Sequence, residues 1–153
     1  MRLPCLLPVA AAVLLTSCEA LTGKEIARLS VDAVSVGENS VIKEVELDLN
    51  KGDEIALWSH MDLEYDGDVE MRFQVQVQRD TVIDSEIEVD PFEKNVTIGE
   101  TKTQFNGHTN WSFTGKNGTL TISETGRCTV RTRLIASENS SLQLKKAELI
   151  LKK

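Results

Sequence analysis

The sequence predicts an all-β protein, an antiparallel two-sheet β-sandwich of jelly-roll-like form with about eight or nine strands. Three observations predict it. Apolar and polar residues alternate with period two along most of the chain, turn-forming pairs punctuate that alternation, and no segment reads convincingly as a helix. The length of 153 residues, with 41% apolar and 27% charged residues, allows one compact domain with a short appendage and excludes a large multidomain enzyme. Strands in that number within one domain must close as two packed layers or a barrel.

The alternation starts at Leu29, Val31 and Ala33, continues through Val45, Leu47 and Leu49, and resumes at Ile55 and Leu57. It is clearest from Asp68 to Gln78. There Val69, Met71, Phe73, Val75 and Val77 share one face, while Glu70, Arg72, Gln74 and Gln76 share the other, as in a strand half-buried against a core. Asp66-Gly67, Asn106-Gly107 and Asn117-Gly118 supply the positive φ that tight hairpins need. Asn50 to Asp53 and Glu124 to Gly126 predict further reversals, the second leading into Cys128, Val130, Thr132, Leu134 and Ala136. In the last segment parity changes between Leu142/Leu144 and Ala147/Leu149/Leu151. That predicts a bulge near Lys145 and Lys146, and the basic ending predicts a guarded edge strand.

The first residues have a different character. Arg2 precedes an apolar run from Leu3 to Leu15, and no acid occurs before Glu19, the layout of an export signal. As a helix this run would cover about 20 Å, short of the roughly 30 Å of a hydrocarbon core. Leu15-Thr16-Ser17-Cys18 resembles the lipobox that closes the signal of bacterial lipoproteins. The resemblance implies cleavage before Cys18, diacylglyceryl attachment to its sulfur, and a protein held on an envelope membrane, the outer membrane being favoured. Two or three acyl chains anchor far more durably than one. The expected organisation is a signal peptide over 1–17, a lipidated end and tether over 18–25, and the sandwich over 26–153. Cys5 then leaves with the signal and Cys18 is alkylated, so Cys128 has no intramolecular partner and is expected to be buried.

The stretch from Gly118 to Lys153 resembles the closing portion of carbohydrate-binding-module-like sandwiches, where a Gly turn precedes an outward strand and a final strand returns. This likeness implies architecture and transfers no binding residue.

The net charge of −7 argues against nucleic acid, because a phosphate-neutralising surface needs an excess of Lys and Arg. Removing residues 1–17 takes away Arg2 and no acid, so the mature chain is more acidic still. Asp62, Glu64, Asp66, Asp68 and Glu70 alternate around Gly67. They form either a solvated acidic hairpin or a loose calcium site, since alternate oxygens around a turn suit a hard cation. Phe73 stands where an EF-hand loop would carry its bidentate Glu, so that motif fails and no cofactor is expected. His60 and His108 lack paired zinc-ligand spacing and are expected at strand ends. Without a nucleophile elbow, a His-Glu-x-x-His pair or a phosphate loop, no catalytic residue is predicted and an enzyme is not expected.

Trp58 shares parity with Ala56 and His60, opposite Ile55 and Leu57, and is a candidate ligand-facing aromatic; Tyr65, beside the polar hairpin residues, is the second. Trp111 shares parity with Phe113 and is expected to face inward. Asp80-Thr81-Val82 resembles the Asp-Ser/Thr-aliphatic site O-glycosylated in exported proteins of the Bacteroidetes, making Thr81 a candidate modification site. The functional expectation is a noncatalytic binding or assembly role toward an envelope protein or glycan. The alternatives are a carbohydrate-binding module using Trp58 and Tyr65, and an inhibitor or immunity lipoprotein presenting its acids to a basic toxin or hydrolase.

Overall fold

The computed structural model describes residues 21–153, so the expected signal peptide, Cys18 and the start of the expected tether lie outside the described residues. Nine strands follow in order: β1 (Glu25–Ser30), β2 (Lys43–Leu49), β3 (Glu54–Asp66), β4 (Met71–Arg79), β5 (Val82–Val89), β6 (Val96–Phe105), β7 (His108–Thr121), β8 (Gly126–Ala136) and β9 (Gln143–Lys152). They form a five-stranded sheet, β1-β9-β3-β7-β6, and a four-stranded sheet, β2-β8-β4-β5. All the strand pairs are antiparallel. Without β6 the orders are β1-β9-β3-β7 and β2-β8-β4-β5, in which the chain swaps sheets in the jelly-roll manner; β6 is an added edge strand.

Period-two patterning decides which face each strand buries. Met71, Phe73, Val75 and Val77 of β4 are at most 3% exposed, while Arg72, Gln74 and Gln76 face out. Burying each such apolar side chain stabilises by about 1.5–3 kcal/mol. Met61 and Leu63 of β3, Leu134 of β8 and Leu149 of β9 complete the centre of the same core. Cys128 is buried there as expected, and burial pushes its thiol above the usual range.

Turn chemistry is partly as expected. Asn106-Gly107 joins β6 to β7 with φ of 49° and 80°, the two positive values of a type I′ hairpin. Asp66-Gly67 does not make a hairpin, because β3 and β4 lie in different sheets and the turn carries the chain across the sandwich. Asn117-Gly118 is not a turn at all: it lies within β7, where Leu57 faces Gly118 and Trp58 faces Lys116, so Asn117 is the extra residue of a bulge. The predicted bulge near Lys145 is present, since Asp62 faces Lys146 while Leu63 faces Leu144. The basic ending does not guard an edge, because β9 lies between β1 and β3.

Asn117 has a structural task in its bulge. Its Nδ2 donates to the carbonyl oxygens of Asp90, Pro91 and Glu93, at 2.9, 3.1 and 2.9 Å, holding the β5–β6 connection against the open side of the sandwich. Phe92 on this connection stacks on Trp111, with centroids 5.0 Å apart and an interplanar angle of 6°. The Lys94 stem crosses Gly115, where an added Cβ would come within 2.5 Å of Lys94 Cδ. Its ammonium lies 3.9 Å from the Phe113 ring centroid and 2.9 Å from Glu100 Oε1. Trp111 thus faces inward, beneath the overhang of β6. Replacing Asn117 with Ala removes the one donor shared by three carbonyls. We expect a loss of about 1–3 kcal/mol in chemical denaturation; a change below about 0.5 kcal/mol would show that the connection holds itself.

Candidate functional site

Four connections meet at one end of the sandwich: β1–β2 (31–42), β3–β4 (67–70), the β6–β7 turn and β8–β9 (137–142). The opposite end carries the start of β1 and the end of β9, where Lys24 N–H donates to the Lys153 carbonyl at 2.8 Å and Lys153 N–H returns the bond at 2.9 Å. Chain entry and the four-connection end are therefore separated by the strands. β3, with 13 residues, gives a span of about 40 Å.

Three of the connections are tied to one another, and the fourth is tied to β8. Asn139 Nδ2 donates to the carbonyls of Asp66 and Asp68 at 2.9 and 3.0 Å, and its Oδ1 accepts from Ser141 Oγ at 2.6 Å. Ser137 and Glu70 exchange two bonds, backbone to backbone at 2.8 Å and backbone to hydroxyl at 2.9 Å. Gly67 N–H reaches the Gly107 carbonyl at 3.0 Å. The β1–β2 connection adds a parallel bridge from Val34 to Leu134 of β8. Beside it a cleft of about 710 Å³ opens between the β1–β2 and β8–β9 connections, with Val34, Val36, Ala136 and Leu142 as apolar lining and Glu138 among its polar groups. Val36 is 68% exposed, an uncovered apolar side chain on the rim of this cleft. A hollow of about 340 Å³ lies beside Gly67, Phe105 and Asn106, and Phe105 is 74% exposed.

The acidic run does not converge on a cation site. Asp62 and Glu64 lie on the outer face of β3, while Asp68 and Glu70 belong to the crossing connection. Register supplies each strand acid with its own neighbour. Glu64 pairs with Lys145 and accepts from Asn110 Nδ2 at 2.7 Å; Asp66 meets His108 Nδ1 at 2.8 Å; Asp62 stands opposite Lys146. Lys145 holds the Glu64 carboxyl below the usual range through a direct hydrogen bond. Among the described residues, no group of three or more His, Cys, Asp or Glu side chains is placed to hold a metal ion. Glu64 is thereby engaged within the molecule, while the Asp66 side chain stays largely exposed beside His108.

The two candidate ligand-facing aromatics are corrected as well. Tyr65 points into the core, 7% exposed, with its hydroxyl bonded to Thr109; burial raises its pKa above the ordinary value. Trp58 has the outward parity expected of it, yet only 2% of it is exposed, with Ile150 beside it in register and the Lys152 ammonium 4.7 Å from its ring. Parity assigns a sheet face but not the cover over that face. Neither ring is open to stack a sugar. Thr81 is exposed in the β4–β5 turn after Asp80, whose φ is 51°, at the end of the molecule where the chain enters.

No protein-family model matches the chain, and no curated protein matches it.

A charged network that sequence reasoning missed occupies the outer face of the five-stranded sheet. Arg28 binds Glu25 through two nitrogens, at 2.9 and 2.8 Å, and also binds Glu148, which His60 Nδ1 approaches to 3.2 Å. Glu148 is only 9% exposed. Burial pushes its carboxyl upward, but the Arg28 hydrogen bond and charge, with Lys146 and His60, outweigh burial and hold it below the usual range. A depressed folded-state value means that Glu148 contributes stability above its unfolded pKa. This contribution is lost as pH falls through the folded one. Glu148→Gln is therefore expected to cost about 1–3 kcal/mol at neutral pH and to flatten the loss of stability below the ordinary glutamate range. Denaturation midpoints across that acidic range check it, and an unchanged slope would refute the assignment.

Proposed function

We propose that this chain is a lipid-anchored envelope lipoprotein with a noncatalytic binding role, presenting the cleft between the β1–β2 and β8–β9 connections to an envelope partner. The observation that supports it is polarity along the strands. Cys18 precedes the end of the sandwich where β1 begins, and the hydrogen-bonded connections with their uncovered Val36 and Phe105 crown the other. A domain tethered by the few residues before Glu25 holds its entry end near the bilayer and offers the far end to other envelope components. Connections held on a rigid sheet scaffold are where binding surfaces are commonly built. A cleft of about 710 Å³ with apolar walls and Glu138 among its polar groups suits a protein segment carrying an apolar anchor and a basic flank.

Two measurements test this. Cys18→Ser is expected to leave a full-length, unlipidated product that no longer floats with the membrane fraction. A photo-crosslinking side chain at Val36 is expected to yield a discrete adduct in cells, absent when the probe stands at Val82 on the opposite end and lost when Ala136→Arg blocks the cleft. Unaltered processing would remove the anchor, and equal labelling at both ends would remove the cleft.

A further inference from the structure

The outer face of the four-stranded sheet is striped by strand. β2 presents Glu44, Glu46 and Asp48; β8 presents Arg127, Arg131 and Arg133; β4 presents Gln74, Gln76 and Gln78; β5 presents Glu86 and Glu88. Each stripe runs along one strand because residues two apart share a face. The side chains are linked from strand to strand. Gln74 Nε2 donates to Glu88 at 3.0 Å and Gln76 Nε2 to Glu86 at 3.1 Å, so both carboxamides turn their donors toward β5 and their oxygens toward β8. Arg133 Nε then donates to Gln74 Oε1 at 2.6 Å.

The arginines do not share one fate. Arg127 lies 3.7 Å from both Glu46 and Asp48 and is served by acids. Arg131 Nε lies 3.2 Å from Glu44 Oε2, yet it is buried and its N–H has no hydrogen-bond acceptor. Arg133 has neutral partners, Gln74 and, at 3.5 Å, Ser40. Between these two guanidinium groups and the two carboxamides is a pocket of about 200 Å³, with Ile42, 43% exposed, as its apolar wall.

We propose that this pocket is a binding site for an acidic sugar, a uronate residue of a glycan. A guanidinium oriented through Nε by an amide, which is itself oriented by a carboxylate, turns its terminal N–H groups, apart from the one given to Ser40, to a planar carboxylate. The acid stripes on both flanks set the rest of the selectivity. They disfavour a ligand that brings only acceptors, such as a phosphodiester, whereas each uronate ring also brings hydroxyls and gives their hydrogens to Glu44, Glu86 and Gln76 Oε1. The apolar C–H edge of the ring lies against Ile42. The volume holds one sugar ring. This site lies on a strand face, apart from the cleft, and it does not depend on the lipid anchor or on the proposed protein partner.

The test uses full-length protein in detergent micelles, isotope-labelled so that arginine Nε signals are resolved. It is titrated with trimers of galacturonate, glucuronate and mannuronate, with the matching neutral trimers, and with tricarballylate. At least one uronate trimer is expected to shift the Arg131 and Arg133 signals saturably. Arg133→Gln weakens that binding by about tenfold or more, and Arg133→Lys, which keeps the charge but loses the planar fork, does the same. Arg127→Gln leaves binding unchanged. Folding of each variant is read from its backbone amide spectrum. Failure of all three uronate trimers overturns the site. Equal binding of a neutral trimer overturns the role of the carboxylate, and equal binding of tricarballylate overturns the sugar.

Discussion

The interaction on which the molecule depends is the contact between the inner faces of its two sheets. β3 and β9 bring Met61, Leu63 and Leu149 to it, and β4 and β8 bring Phe73, Val75 and Leu134, so the strands at the middle of each layer hold the largest buried side chains. β4 and β8 alternate strictly, and a slip of one residue in either would exchange its buried set for the polar set on the opposite face. The outer faces inherit their order from this demand. With inner residues locked, the positions between them have fixed cross-strand neighbours, and those neighbours make the Arg28–Glu148–His60 network on one layer and the Glu–Arg–Gln–Glu stripes on the other. Surface chemistry here is a by-product of core register.

Five strands over four leave one strand without cover, and the molecule closes that gap with chemistry rather than with another strand. β6 is exposed along its whole length. Beneath it Phe92 and Trp111 stack, the Lys94 ammonium lies over the Trp111 and Phe113 rings, and Glu100 receives both Lys94 and the Trp111 indole N–H. Cation–π and aromatic contacts of this kind contribute where a plain aliphatic wall would be open to water. Charged side chains on the inner side of an edge strand also discourage another chain from pairing with it.

The layered fold was legible in the sequence because its cause is local. Period-two alternation in β4 and β8 can be seen residue by residue, and the bulge at Lys145 shows as a change of parity. Turn signals were legible only where the dipeptide acts alone: Asn106-Gly107 makes its hairpin, whereas Asn117-Gly118 serves a connection more than twenty residues earlier. The candidate site was much less legible. Which acid meets which base depends on cross-strand register, and Glu64 meets Lys145 across a separation of 81 residues. Gln74 meets Arg133 across 59. The burial of Trp58 likewise depends on what packs over its face, whereas Tyr65 has the parity of Leu57 and Leu63 and is inward by alternation alone.

The paired backbone bonds between Lys24 and Lys153 lock the entry of the domain to its last strand, and β1 then runs beside β9 along its length. Suppose the domain is tethered through its first residues and pulled by something seated at the far end. Tension would then run parallel to the strands, at right angles to the ladder bonds. A pull in that direction loads the β1–β9 bonds together in shear instead of parting them singly from one end, so the sandwich would resist traction best along the line that joins anchor to cleft.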